Sequence, residues 1–188
     1  MPPRTHPTWL PAALAGISGA VVVGLLALLW LGITQRDKGG VGESSGPLRL
    51  APDFELGLFD GGTYRLSEML ASGQPVVVNF WASWCMRCRE EAPILEAAWQ
   101  RNRGRISLVG VDVQDTDQDA LAFLREFRVT YPNGPGNAGP ISIAYGMRGV
   151  PETYFIATDG RILRKWNGAP TPAALDQYLS ELQRASAR

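Results

Sequence analysis

Two cysteines spaced by two residues, Cys85–Met86–Arg87–Cys88, are the only thiols in the chain. They follow a continuous apolar run, Pro75–Val76–Val77–Val78–Asn79–Phe80–Trp81, and open a segment with helical spacing. A C-x-x-C pair at a strand-to-helix junction is suited to thiol–disulfide exchange. The unpaired N–H groups of a helix's first turn, together with its dipole, favour an anion, so a thiolate at Cys85 is stabilised. Arg87 adds positive charge nearby and is the candidate for tuning that thiol. Cys88 lies three residues on, on the same face, within reach of a mixed disulfide formed at Cys85. Cys85 is therefore the candidate nucleophile and Cys88 the candidate resolving thiol. A purely structural disulfide would close a very short loop, where the chain-entropy gain is smallest. A metal site lacks ligands, because the single histidine, His6, precedes a long apolar run. The redox-active disulfide then needs no separate cofactor and no metal.

The elements that must hold this pair can be read from the pattern. Phe54–Leu56 and Thr63–Leu66 flank Asp60–Gly61–Gly62, a hairpin signal. Ser67 is placed to cap a short helix over 68–72. Residues 75–81 suit a strand buried on both faces, and Ile106–Val113 suits a second. Between them a helix over 86–102 carries Ile94, Leu95, Ala98 and Trp99 at helical spacing, with Pro93 inside it. Asp117–Arg128 is a helix with Leu121, Leu124 and Phe127 on one stripe. Residues 131–140 read as a loop and 141–146 as a short helix. Glu152–Ala157 and Arg161–Trp166 are strands, and Pro172–Ala185 closes the chain as a helix. The acidic stretch Asp112–Asp117 reads as a strand end running into a helix N-terminus, where carboxylates are favoured. The order implies an α/β sandwich with a mixed sheet and an N-terminal hairpin.

Composition narrows the function. Among the 188 residues, Lys+Arg 18 balances Asp+Glu 18, which argues against a general nucleic-acid binder. Leu10 to Ile33 contains no charged residue, and Trp9 and Trp30 lie near its ends. At about 1.5 Å per residue a helix of that length crosses a bilayer core of about 30 Å. The run is longer than a signal-peptide core and has no small-residue cleavage site, so a retained transmembrane anchor over 10–33 is expected, after a tail at 1–9. Arg4 precedes the run, and Arg36 and Lys38 follow it, so charge does not settle the topology. Residues 34–47 read as a flexible linker, with a root-mean-square reach of roughly 20 Å. The folded domain is then 48–188. Nothing in the sequence implies an oligomer.

The segment Phe80–Trp81–Ala82–Ser83–Trp84–Cys85 through Cys88 resembles the thioredoxin superfamily. Four further segments are similar to its membrane-tethered thiol–disulfide oxidoreductases, of the ResA/TlpA/DsbE type: Ala51–Pro52–Asp53–Phe54–Glu55–Leu56, the hairpin from Asp60–Gly61 through Leu66–Ser67, Cys88–Arg89–Glu90–Glu91–Ala92–Pro93, and Gly149–Val150–Pro151–Glu152–Thr153–Tyr154–Phe155–Ile156. The resemblance covers about residues 50–183 and implies a thioredoxin-like fold. It implies a cis peptide bond between Val150 and Pro151, facing the cysteines, so that the Val150 backbone can pair with an extended substrate segment. Trp84 beside Cys85 is the candidate partner-contact surface. Where thioredoxin carries a buried aspartate, this strand has Asn79, so any general base must come from elsewhere. Glu91 and Glu152 are the candidates, matching carboxylates common in the membrane-tethered group.

The resemblance implies an extracytoplasmic enzyme on the cell (inner) membrane, single-pass, exchanging dithiols with disulfides of partner proteins. It further implies reduction of apocytochrome c during cytochrome c maturation, with electrons from a membrane thiol reductase. Two alternatives stand beside this. One is a disulfide-forming oxidant or isomerase for secreted proteins. The other is a copper metallochaperone, against which the cysteine spacing and the lack of a domain histidine both argue.

Overall fold

The computed structural model describes residues 23–28, 49–136 and 139–187. The chain divides into two compact units, Met1–Gly40 and Val41–Arg188. In the first, residues 23–28 are helical. The rest of the expected anchor at 10–33, the tail at 1–9 and the linker at 34–47 lie outside the described residues. Among the described residues no helix is long and apolar enough to cross a membrane.

In the second unit, β1 (Glu55–Gly57) and β2 (Thr63–Arg65) pair as an antiparallel hairpin. Helix α1 (Leu66–Ala71) follows directly, two residues earlier than the spacing suggested. Ser67 does not cap it. Its backbone N–H instead donates to Asp53 Oδ1 at 3.1 Å, and Phe54 N–H donates to the same oxygen at 2.9 Å. An acid remote in sequence thus satisfies a donor that the first turn leaves open.

The main sheet has five strands in the order β5-β4-β3-β6-β7: β3 (Val76–Trp81), β4 (Ser107–Asp112), β5 (Asn133–Pro135), β6 (Glu152–Ile156) and β7 (Ile162–Asn167). β3 pairs parallel with β4 and antiparallel with β6, and β6 pairs antiparallel with β7, so the sheet is mixed as expected. Helices α2 (Met86–Asn102), α3 (Asp117–Glu126), α4 (Pro140–Tyr145) and α5 (Pro172–Ser186) complete the unit.

Period-two alternation sends side chains to two cores. Val76, Val78, Phe80, Val109 and Val111 join Phe54, Tyr64, Phe123 and Tyr145 on one face. Val77, Leu108 and Phe155 join Leu95, Ala98, Leu175, Leu179 and Leu182 on the other. Every residue of β3 is buried, which is why its sequence is continuously apolar apart from Asn79. Burying each Val, Leu or Phe contributes about 1.5–3 kcal/mol before entropy is charged.

The expected loop at 131–140 contains a strand. β5 pairs parallel with β4 and takes the hairpin on its other side, where Phe59 N–H donates to the Asn133 carbonyl at 2.9 Å. Gly134 permits this approach. A Cβ there would sit 2.1 Å from the Gly57 carbonyl oxygen.

Candidate active site

The site forms where β3 ends and α2 begins. Trp81 closes β3, and its carbonyl accepts from Val113 N–H at 2.9 Å. The chain then turns, with Cys85 N–H donating to the Ala82 carbonyl at 3.2 Å. Cys85 is the N-cap of α2 in extended backbone conformation, and its Sγ accepts from Cys88 N–H at 3.1 Å. Cys85 and Cys88 are joined as a disulfide. When the bond is reduced, the same N–H and the helix dipole stabilise a Cys85 thiolate. Cys88 is 1% exposed and Cys85 6%, so Cys85 is the sulfur that a partner can reach.

The opposite wall comes from the turn before β6. The Val150–Pro151 peptide bond is cis. The Val150 carbonyl oxygen lies 3.6 Å from Cys85 Sγ. Val150 is half-buried and Pro151 buried. Trp84, 60% exposed, and Met86 stand at the surface beside Cys85. The structure therefore brings Cys85, Cys88, Trp84, Val150 and Pro151 into one mouth.

The two candidate glutamates differ. Glu91 is buried on α2, one turn beyond Cys88 and on the same side of the helix. Its Oε1 accepts from Asn79 Nδ2 at 2.8 Å, while Oε2 has no partner. Asn79 Nδ2 also reaches Thr153 Oγ1 at 3.1 Å, across the β3–β6 ladder. Burial pushes the Glu91 carboxyl up to about 8, and the Asn79 hydrogen bond only partly offsets this. The buried carboxyl beside the cysteines thus comes from the helix, with the strand's Asn79 as its donor.

Glu152 is buried too, but it is fully engaged. Its Oε2 pairs with Lys165 Nζ at 2.8 Å and accepts from Tyr154 OH at 3.0 Å. Its Oε1 accepts from Arg148 N–H at 3.1 Å. The side chain thus clasps the two ends of the 148–152 turn together. That geometry suits a residue that shapes the Val150 turn better than one that exchanges protons. Arg87 is exposed and pairs with Glu90 at 2.9 Å, one helical turn on. The pair is close to neutral, so Arg87 contributes less field at Cys85 than its charge alone suggests.

A second carboxyl pair borders the mouth and escaped the sequence reading. Asp115 Oδ2 accepts from Ser83 N–H at 2.5 Å, and Oδ1 from Ser83 Oγ at 2.6 Å. Buried Asp112 is pushed up to about 8, first by burial and then by its hydrogen bond to Asp115. The N-cap of α3 is Thr116, whose Oγ1 accepts from Asp119 N–H at 3.2 Å. Asp117 occupies the first turn as expected, with Asp119 beside it, but Asp115 faces the cysteine loop instead. The available signal was parallel pairing: β3 and β4 leave the sheet at one end, so their following loops adjoin. Among the described residues, no group of three or more His, Cys, Asp or Glu side chains is placed to hold a metal ion.

Comparison with known proteins agrees with this geometry. Residues 47–165 match the AhpC/TSA family. The thiol-disulfide oxidoreductase ResA of Oceanobacillus iheyensis is 31% identical over 137 residues, covering 70% of each chain. A DsbE homolog of Paracoccus denitrificans, a thiol:disulfide interchange protein, is 34% identical over 144 residues, covering 74% of this chain and 76% of its own. Among solved structures, a Chlorobium tepidum chain assigned as a thiol:disulfide interchange protein DsbE superposes with a TM-score of 0.65 at 27% identity, covering 74% of this chain and 99% of its own. Those relatives are named for the exchange that a disulfide at a helix N-terminus can perform, and the chain belongs with them, to the AhpC/TSA family, as a thiol–disulfide oxidoreductase of the ResA/DsbE type.

Proposed function

We propose that the chain works as a membrane-anchored, extracytoplasmic reductant of protein disulfides, with apocytochrome c as a substrate of the fitting kind. A membrane thiol reductase would resupply its electrons. The observation that carries the exchange chemistry is the placement of Cys85 Sγ, 3.1 Å from a helix N–H and 3.6 Å from the Val150 carbonyl. A partner segment laid along Val150 brings its own disulfide to Cys85 by backbone pairing, with little demand on sequence.

The Cys85 thiolate attacks one partner sulfur, forming a mixed disulfide and releasing the other as a thiolate that takes a proton. Cys88 then gives up its proton and attacks Cys85 Sγ. The Cys85–Cys88 bond forms, the mixed bond breaks, and the second partner thiol leaves. Two electrons have passed to the partner. Glu91 supports the second step: burial raises its carboxyl to about 8, close to a thiol's ordinary range, so its ionised fraction, which grows as pH rises toward 8, can take the Cys88 proton. The uncharged run at 10–33 supports the anchor.

The deciding measurement is the reduction potential of the Cys85–Cys88 pair by equilibration with glutathione or dithiothreitol. A value near thioredoxin's, about −270 mV, is expected. A value near −120 mV would replace the reductant with a disulfide-forming oxidant. Location is tested separately, with a surface cysteine introduced into a Cys85→Ala/Cys88→Ala background. An impermeant thiol reagent should label it on intact cells, and labelling only after lysis would sink the extracytoplasmic assignment.

A further inference from the structure

The turn that carries Cys85 is held from outside its own helix. Trp81 and Asp112 are opposite each other at the parallel ends of β3 and β4, so the chain beyond each runs beside the other. There Ser83 has every polar group engaged. Its N–H and its hydroxyl both donate to the Asp115 carboxylate, at 2.5 and 2.6 Å, and its carbonyl accepts from Arg89 at 3.5 Å. Next to it, Trp84 Nε1 donates to the Gln114 carbonyl at 3.3 Å. Gln114 adopts a φ of 59°, a left-handed conformation that a non-glycine residue adopts only at a cost.

Capping does not account for Asp115, because Thr116 caps α3. The two Ser83 donors converge on the Asp115 carboxylate, and hydrogen bonds to an ionised acceptor are the strong ones. A carboxylate with two donors from a single residue fixes orientation as well as position.

We propose that Asp115 is a positioning residue for the exchange reaction. By gripping Ser83 it sets the Ser83–Trp84–Cys85 turn so that Cys85 Sγ meets the Cys88 N–H and the Val150 carbonyl together. This holds for either direction of electron flow. It rests on the Cys85–Cys88 chemistry and not on the reductant assignment, whose failure would appear only in the reduction potential.

The test compares Asp115→Ala, Asp115→Asn and Ser83→Ala in the full-length chain, each in a Cys88→Ala background so that one thiol titrates. Thiolate formation is followed by ultraviolet absorbance against pH, and reactivity by the second-order rate with glutathione disulfide. Asp115→Ala is expected to raise the thiolate midpoint and slow the reaction about tenfold, because a loosened turn misplaces the sulfur. Ser83→Ala keeps the N–H bond and should shift both readouts the same way, but less. Asp115→Asn can accept from Ser83 N–H and donate to its hydroxyl, and should recover most of the loss. A melting temperature that falls while midpoint and rate stay at the wild-type values would overturn the proposal, since Asp115 would then be merely structural. An equal fall of the midpoint in both Asp115 variants would also overturn it, since charge and not grip would be acting. If Asp115→Ala does not fold, Ser83→Ala decides alone: unchanged midpoint and rate overturn the proposal.

Discussion

Cys85 and Cys88 divide the work because their surroundings differ. One caps a helix at the mouth and keeps a little exposure, and the other is sealed beneath it. Cys88→Ala should therefore leave attack intact and abolish release. One equivalent of partner then accumulates as a mixed disulfide, visible on non-reducing gels, while turnover is lost. In the proposed cycle Glu91 takes the proton that Cys88 gives up. Glu91→Gln should slow the Cys88 step at neutral pH by about 10²-fold, seen as slow decay of a preformed mixed disulfide. Stability should respond as well. Burial raises the Glu91 carboxyl from 4.5 to about 8 and that of Asp112 from 3.8 to about 8. The folded state then binds more protons than the unfolded state across that window. The stability linked to these protons is whole below the unfolded values and is lost as pH rises through about 8. Urea midpoints of the wild type should fall from pH 5 to pH 8. Those of Glu91→Gln should fall less steeply, and equal slopes would remove Glu91 from the explanation.

At the scale of elements, legibility followed how local the cause was. The run Val76–Trp81 announced a central strand, because burial on both faces writes itself into the residues of one segment. The same was true of α2, α3 and α5. β5 was not legible. Asn133–Gly134–Pro135 has poor strand character, and its conformation is imposed by β4 on one side and by the hairpin on the other. Ser67 was misread because its donor is met by Asp53, 14 residues away. Asp115 was read as part of a helix start, and its partner Ser83 is 32 residues away. The cysteines were legible from spacing alone, whereas the clasp at Glu152 depends on Lys165, 13 residues away on the neighbouring strand β7. The close approach at β5 gives a prediction at this scale. Gly134→Ala would push against the Gly57 carbonyl and should part the hairpin from the sheet edge, lowering stability by about 1–3 kcal/mol in urea titrations. Exchange kinetics should change less than stability, because β4 separates β5 from β3, the strand that leads to the cysteines.

At the scale of the whole molecule, charge is balanced, and among the described residues exposed pairs occur such as Arg65 with Glu55 and Arg101 with Asp176. Pairs of that kind contribute little to stability. The mouth itself is apolar at Trp84 and Met86, and Arg87 is matched by Glu90. Partner capture is therefore expected to depend on contact area more than on long-range steering. Rates with a disulfide-bonded peptide should vary less than about threefold between low and physiological salt, in contrast to electrostatically steered pairs. Trp84→Ala should raise the apparent KM for such a peptide roughly tenfold, since exposed aromatics dominate contact energetics. A steep salt dependence would shift the recognition burden onto charge.

Trp84 has one more consequence. Its indole is tied at Nε1 to the Gln114 carbonyl, and the residue is joined in sequence to Cys85. An excited indole readily passes an electron to a nearby disulfide and much less readily to thiols. Opening the Cys85–Cys88 bond is therefore expected to brighten the indole emission, an optical gauge of oxidation state built into the molecule. The flow of electrons through it can be watched in real time without any added dye.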